Sequence, residues 1–104
     1  MQIQFNTDNN IKGTEELRGP LEERIATSLS RFSERITRIE VHLNDENSHK
    51  NGQNDKRCML EARMEGMQPI SVTNNDATEE QAVKGAIDKL KAALDTVIGR
   101  ARNY

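Results

Sequence analysis

Residues 2–6 alternate, with Ile3 and Phe5 set against Gln2, Gln4 and Asn6, and this predicts a half-buried strand. Thr7-Asp8-Asn9-Asn10 predicts a turn. Leu17, Leu21, Ile25, Leu29 and Phe32 then recur at three- and four-residue steps, the apolar stripe of a helix. Thr14 with Glu15 and Glu16 marks its start, the acids being well placed against the helix dipole. Pro20 disturbs this stripe. A proline inside a helix loses a backbone bond and clashes with the carbonyl four residues back, so a kink at Gly19-Pro20, or a helix beginning there, is expected. A second strand is predicted over 36–44, where Ile39, Val41 and Leu43 alternate with Arg38, Glu40 and His42.

No apolar residue stands between Asn44 and Lys56, and Asn51-Gly52 is a strong turn dipeptide. A loop is expected there, mobile and dispensable for folding, because ordering it brings little burial in return. Cys58, Leu60, Ala62 and Met64 point inward from a third predicted strand over 57–65. Gly66 to Pro69 turns the chain, and Ile70 and Val72 predict a short fourth strand. Thr78-Glu79-Glu80-Gln81 is a capping box. The long helix behind it carries Val83, Ala86, Ile87, Leu90, Leu94, Val97 and Ile98 as its apolar stripe, with Gly99 marking the last turns. The order β-α-β-β-β-α predicts an α+β, two-layer sandwich, a four-stranded sheet with two helices on one face and solvent on the other. One domain spans 1–104.

The 104 residues, 34% hydrophobic and 31% charged, suffice for one modest core. No apolar run is long enough for a transmembrane helix, and no basic leader or apolar signal opens the chain. Cys58 is the only cysteine and has no internal disulfide partner. These features predict a reduced, cytoplasmic setting. Cys58 reads as a core thiol. Asp45, Glu46 and His49 match no specific metal motif and read as a solvated loop, so no metal or other cofactor is expected. Glycine-rich phosphate loops, GxSxG, HExxH and CxxC are all missing. No enzyme and no small-molecule substrate are predicted.

Fifteen Lys and Arg against seventeen Asp and Glu give a net charge of −2, which argues against a simple basic nucleic-acid binder. The distribution is more informative. Glu15, Glu16, Glu22 and Glu23 against Arg18 make residues 15–23 net −3. Arg24, Arg31, Arg35 and Arg38 against Glu34 make 24–38 net +3, and Lys89, Lys91, Arg100 and Arg102 against Asp95 make 89–104 net +3. Dipole complementarity on two solvated helices is one explanation. The other is functional. If the helices lie side by side in one direction, their basic ends gather at one edge, and Arg31, Arg35, Arg38, Lys89, Arg100 and Arg102 form one positive region suited to a phosphate backbone. Phe5 and Phe32 read as buried, so recognition of bases by aromatic stacking is not expected, whereas shape-and-phosphate recognition of structured RNA is.

Several short segments, in order, resemble the ribosome hibernation promoting factor and ribosome-associated inhibitor family, the ribosomal subunit interface proteins. They are Met1-Gln2-Ile3, Asn9-Asn10-Ile11, Thr14-Glu15-Glu16-Leu17-Arg18, the junction Phe32 to Ile39, and above all Glu80-Gln81-Ala82-Val83-Lys84-Gly85-Ala86-Ile87-Asp88-Lys89-Leu90. The resemblance covers nearly the whole chain. It implies a fold akin to a double-stranded-RNA-binding domain, and binding to the small ribosomal subunit and its rRNA in the tRNA and mRNA channel, blocking translation by occupancy under stress. It makes Lys89 the signature lysine, with Lys84 and Lys91 on the same helix as further RNA-binding candidates. A monomer off the ribosome is expected, without the C-terminal dimerisation domain of long members.

The chain departs from the family pattern in having few cations after Leu90, Glu80 where an aromatic is common, a longer 44–56 loop, and Pro20. Fewer cations on the last helix would weaken rRNA affinity. Two alternatives stay open: a relative with the same fold that binds another RNA, or a protein-interaction module using the sheet face or the 44–56 loop.

Overall fold

The computed structural model describes residues 1–8, 11, 14–46 and 55–102, the side chains of 14 and 100–102 excepted. The expectations for the interior of the 44–56 loop, including His49, therefore lie outside the described residues. Strand β1 (Gln2–Thr7) leads to helix α1 (Thr14–Ser28), a 3-10 turn (Ser30–Phe32), strands β2 (Ile36–Asp45), β3 (Lys56–Met64) and β4 (Ile70–Asp76), and helix α2 (Glu79–Arg102). The sheet order is β1-β2-β3-β4. β1 runs parallel to β2, and the other neighbours are antiparallel. This is the α+β sandwich read from the sequence.

Alternation sorts the two sheet faces. Ile39 pairs with Ala62, Val41 with Leu60 and Leu43 with Cys58, all fully buried. These rows join Ile25 and Leu29 and the α2 stripe, Val83, Ala86, Leu90 and Leu94, in one core. The intervening residues form the opposite, open face, where Arg38 pairs with Arg63, Glu40 with Glu61 and His42 with Met59. A register irregularity between Ile36 and Arg38 lets Ile36 and Ile39, three apart, both reach the core. On the open face Glu40 accepts from Arg38 at 3.0 Å and lies 3.2 Å from Arg63, which is bonded to Glu61 at 2.8 Å. These two arginines compensate the cross-strand pair of acids.

Three sequence expectations are corrected. α1 begins at Thr14 and runs through Pro20, so it does not start at the proline. The helix also ends sooner than its stripe: Leu29 and Phe32 are buried, but Phe32 sits on the 3-10 turn, whose three-residue period continues the same apolar row. β4 is longer than its apolar residues suggested, because Thr73–Asp76 are held by the ladder to β3. Gly99 lies in the last turn of α2, which ends at Arg102, as the sequence suggested. Its start is the expected cap, with the Gln81 amide donating to Thr78 Oγ1 at 3.1 Å and that hydroxyl donating to Gln81 Oε1 at 3.3 Å.

Candidate nucleic-acid interface

The two helices lie side by side and run in the same direction. Near their starts, Glu16, Leu17, Pro20 and Leu21 share a cleft with Glu80. Farther along, Arg24 and Ser28 face Lys84, Ile87, Asp88 and Lys91. Beyond the end of α1, Arg31, Phe32 and Arg35 meet Asp95, Ile98 and Gly99. Early residues thus pair with early and late with late. The topology requires this direction, since each helix follows a strand of the same sense and returns across the sheet. The groove between the helices is polarised, acidic at Glu16 and Glu80 and net basic from Arg24 onward, where Arg24, Lys84 and Lys91 outnumber Asp88.

Arg24, Arg35 and Lys84 are exposed and Lys91 half-exposed. None of the four is in a salt bridge with a described residue. Arg24 entered the sequence reading only through the charge balance. Its position was concealed because facing partners on another helix have no signature in the spacing of its own.

Arg31 is arranged differently. Its guanidinium forks onto Asp95, Nη1 to Oδ1 at 2.7 Å and Nη2 to Oδ2 at 2.8 Å, and its Cζ lies 4.1 Å from the centre of the Phe32 ring. The hydrogen bond from Arg31 holds the Asp95 carboxyl below its ordinary range, with the charges of Arg31 and Lys91 acting the same way. The same pairing raises Arg31 above its ordinary value.

The structure brings Lys84 and Lys91 together beside Arg24, with Arg31 and Arg35 at the basic end. It sets two candidates apart. Arg38 is on the open sheet face, across the core from the groove. Lys89 turns to the other flank of α2, where its Nζ donates to the Thr73 carbonyl of β4 at 2.8 Å. The side chains of Arg100 and Arg102 lie outside the described residues. The charge of 24–38 also has a different origin from the one expected: α1 has no basic residue in its last turn, and Arg31, Arg35 and Arg38 lie on the 3-10 turn, the following turn and β2. The dipole of α1 therefore does not account for them.

Cys58 is buried on β3, and desolvation pushes its thiol up to about 12, which suits a core residue and opposes thiolate chemistry. Among the described residues no cluster of His, Cys, Asp or Glu is arranged to hold a metal ion, and no helix is long and apolar enough to cross a membrane.

The family model described as sigma 54 modulation protein / S30EA ribosomal protein matches residues 3–102. The chain belongs to this family. The S30EA fold extends to solved structures of low sequence identity. One is the N-terminal domain of Protein Y from Thermus thermophilus, 21% identical, with a TM-score of 0.71 over 93% of this chain and 99% of that one. Another is a ribosomal subunit interface protein from Coxiella burnetii, 16% identical, with a TM-score of 0.75 over 95% and 99%. No curated protein matches by sequence. Membership in this ribosome-associated family agrees with the resemblance noted in the sequence.

Proposed function

We propose that the protein binds the small ribosomal subunit through rRNA phosphates and blocks translation by occupying the tRNA and mRNA channel. Binding alone does this, with no chemical step. The observation that carries the reading is the groove between parallel helices, where Arg24, Lys84 and Lys91 converge from both walls and Arg35 stands at the end. Cations on two rigid elements suit a phosphate backbone of fixed curvature. Phe32 is buried and Phe5 half-buried, so neither offers a base a stacking platform.

Two further points support RNA over a protein partner. The S30EA family is ribosome-associated, and a structural relative is called a ribosomal subunit interface protein. Among the described residues, Met1 is the only large hydrophobic that is exposed, so an apolar docking patch is missing there. The same reading makes the protein cytoplasmic and a monomer off the ribosome.

Sedimentation with purified ribosomes across a salt series tests the proposal. Affinity should fall steeply with salt. Changing Arg24, Lys84 and Lys91 together to alanine should flatten the log–log slope by about two to three units, at roughly 0.7–0.9 per phosphate contact. A folded triple variant that sediments like the wild type at every salt concentration overturns it. Prebound tRNA and mRNA should exclude the protein, and simultaneous binding would refute channel occupancy.

A further inference from the structure

One anion already sits at the basic end of the groove, and it belongs to the protein. Asp95 meets Arg31 fork to fork, and both side chains are more than half exposed, 52% and 56%. Phe32 lies under the guanidinium and fixes its plane. A carboxylate held by two parallel N–H bonds has the geometry in which arginine also takes a phosphate. Lys91 acts on the same carboxylate one helical turn back, and Arg35 lines the same cleft of about 330 Å³. Asp95 is the sole acid among the described residues lining it.

We infer that Asp95 is an internal competitor for phosphate. In the free protein it keeps Arg31 in a phosphate-binding pose while cancelling its charge. In the complex a phosphate oxygen pair replaces the carboxylate on the guanidinium. An exposed ion pair is only weakly favourable in water and is screened by salt, so the exchange is accessible. Asp95 thereby sets affinity below what the cations alone would give. This inference rests on the phosphate-binding reading above, and it specifies how that site is regulated.

The test uses the full chain carrying Asp95→Asn, which removes the charge and nearly keeps the shape, with Asp95→Ser as a second variant. Both are measured by ribosome sedimentation and by the salt needed to elute them from heparin. Each variant should bind about two- to fivefold more tightly at low salt. The salt slope should steepen by about 0.7–0.9, one added phosphate contact. In an Arg31→Ala background the gain should vanish, because the competition is for Arg31. Unchanged or weaker binding by both folded variants overturns the inference and makes Asp95 a support that holds Arg31 in place. A gain that persists undiminished without Arg31 also overturns it, as a general effect of net charge. If the wild type fails to sediment with ribosomes, the ribosomal reading falls, and the heparin measurement then decides the inference alone.

Discussion

Gly85 passes over the side-chain amide of Asn74 so closely that a Cβ at position 85 would overlap it. Asn74 is fixed there because its Nδ2 donates to the carbonyl of Ala82 at 3.2 Å and lies 3.5 Å from that of Gln81, tying β4 to the first turns of α2. The glycine in the family-like helix entry is thus a requirement of close packing. Gly85→Ala should lower stability by about 1–3 kcal/mol through overpacking, despite the better helix propensity of alanine. Asn74→Ala in the same chain should recover part of that loss. Urea unfolding of the single and double variants checks both expectations.

Gly19 is the opposite case. It lies inside α1, and apart from its chain neighbours and the helix backbone nothing stands within 4 Å of a Cβ. Its successor is Pro20, whose Cδ crowds a Cβ on a preceding residue in helical conformation. Gly19→Ala should therefore forfeit the gain of about 1 kcal/mol that alanine brings to an ordinary helix position, whereas in a Pro20→Ala background the same change should stabilise. Thermal unfolding of these variants measures this, and a higher midpoint for Gly19→Ala alone would contradict it.

The buried Cys58 thiol gives stability a pH dependence. Its folded pKa is raised to about 12 from an ordinary value of 9.0, chiefly by desolvation. Between those values the folded state holds a proton that the unfolded state has released. Stability should be unaffected by this group below pH 9 and should fall above it, by up to about 1.4 kcal/mol per pH unit. Cys58→Ala should lack this component, so the stability curves of the two proteins should converge or cross as pH rises from 9. Parallel curves would exclude the effect.

Lys91 and Lys89 are two residues apart and should behave differently. Lys91 faces the cationic groove, whereas Lys89 reaches the β4 carbonyl of Thr73. Lys91→Ala should weaken ribosome sedimentation and flatten its salt slope by about 0.7–0.9. Lys89→Ala should leave that slope nearly unchanged, cost less than about 1 kcal/mol of stability, and expose the edge of β4. Slopes flattened equally for the two variants would show that both lysines contact phosphate, and two slopes equal to that of the wild type would show that neither does.

The layers of this fold were legible because alternation in Ile39–Leu43 and Cys58–Met64 and the stripe from Val83 to Ile98 each report one buried face. The same alternation puts Arg38 on the open face, opposite the helices, although its place in the chain groups it with the helix cations. The boundary of α1 at Ser28 was hidden because an α-helix and a 3-10 turn cannot be told apart over one turn of apolar spacing. The polar half of β4 was hidden because backbone pairing at an edge leaves no side-chain pattern. The pairing of Arg31 with Asp95 spans 64 positions and depends on the helices being parallel. Nothing in the charge pattern along the chain marks that these two residues meet.

The parallel seating of β1 on β2 sets the order in which the molecule assembles. Gln2 pairs with Arg38, so this ladder closes only after all of α1 has been laid across the sheet. β2, β3 and β4 follow one another as antiparallel neighbours, and α2 seats directly on β3 and β4. β1 is an edge strand with no fully buried residue. Loop-closure entropy then favours a nucleus built from the three antiparallel strands and α2, with the N-terminal strand docking after the rate-limiting barrier. Truncations at Ile3 and Phe5 should speed unfolding and leave the folding rate almost untouched, whereas Leu60→Ala and Leu90→Ala should slow folding. Chevron plots of these four variants would reveal whether the N-terminus is the last part of the chain to lock and the first to let go.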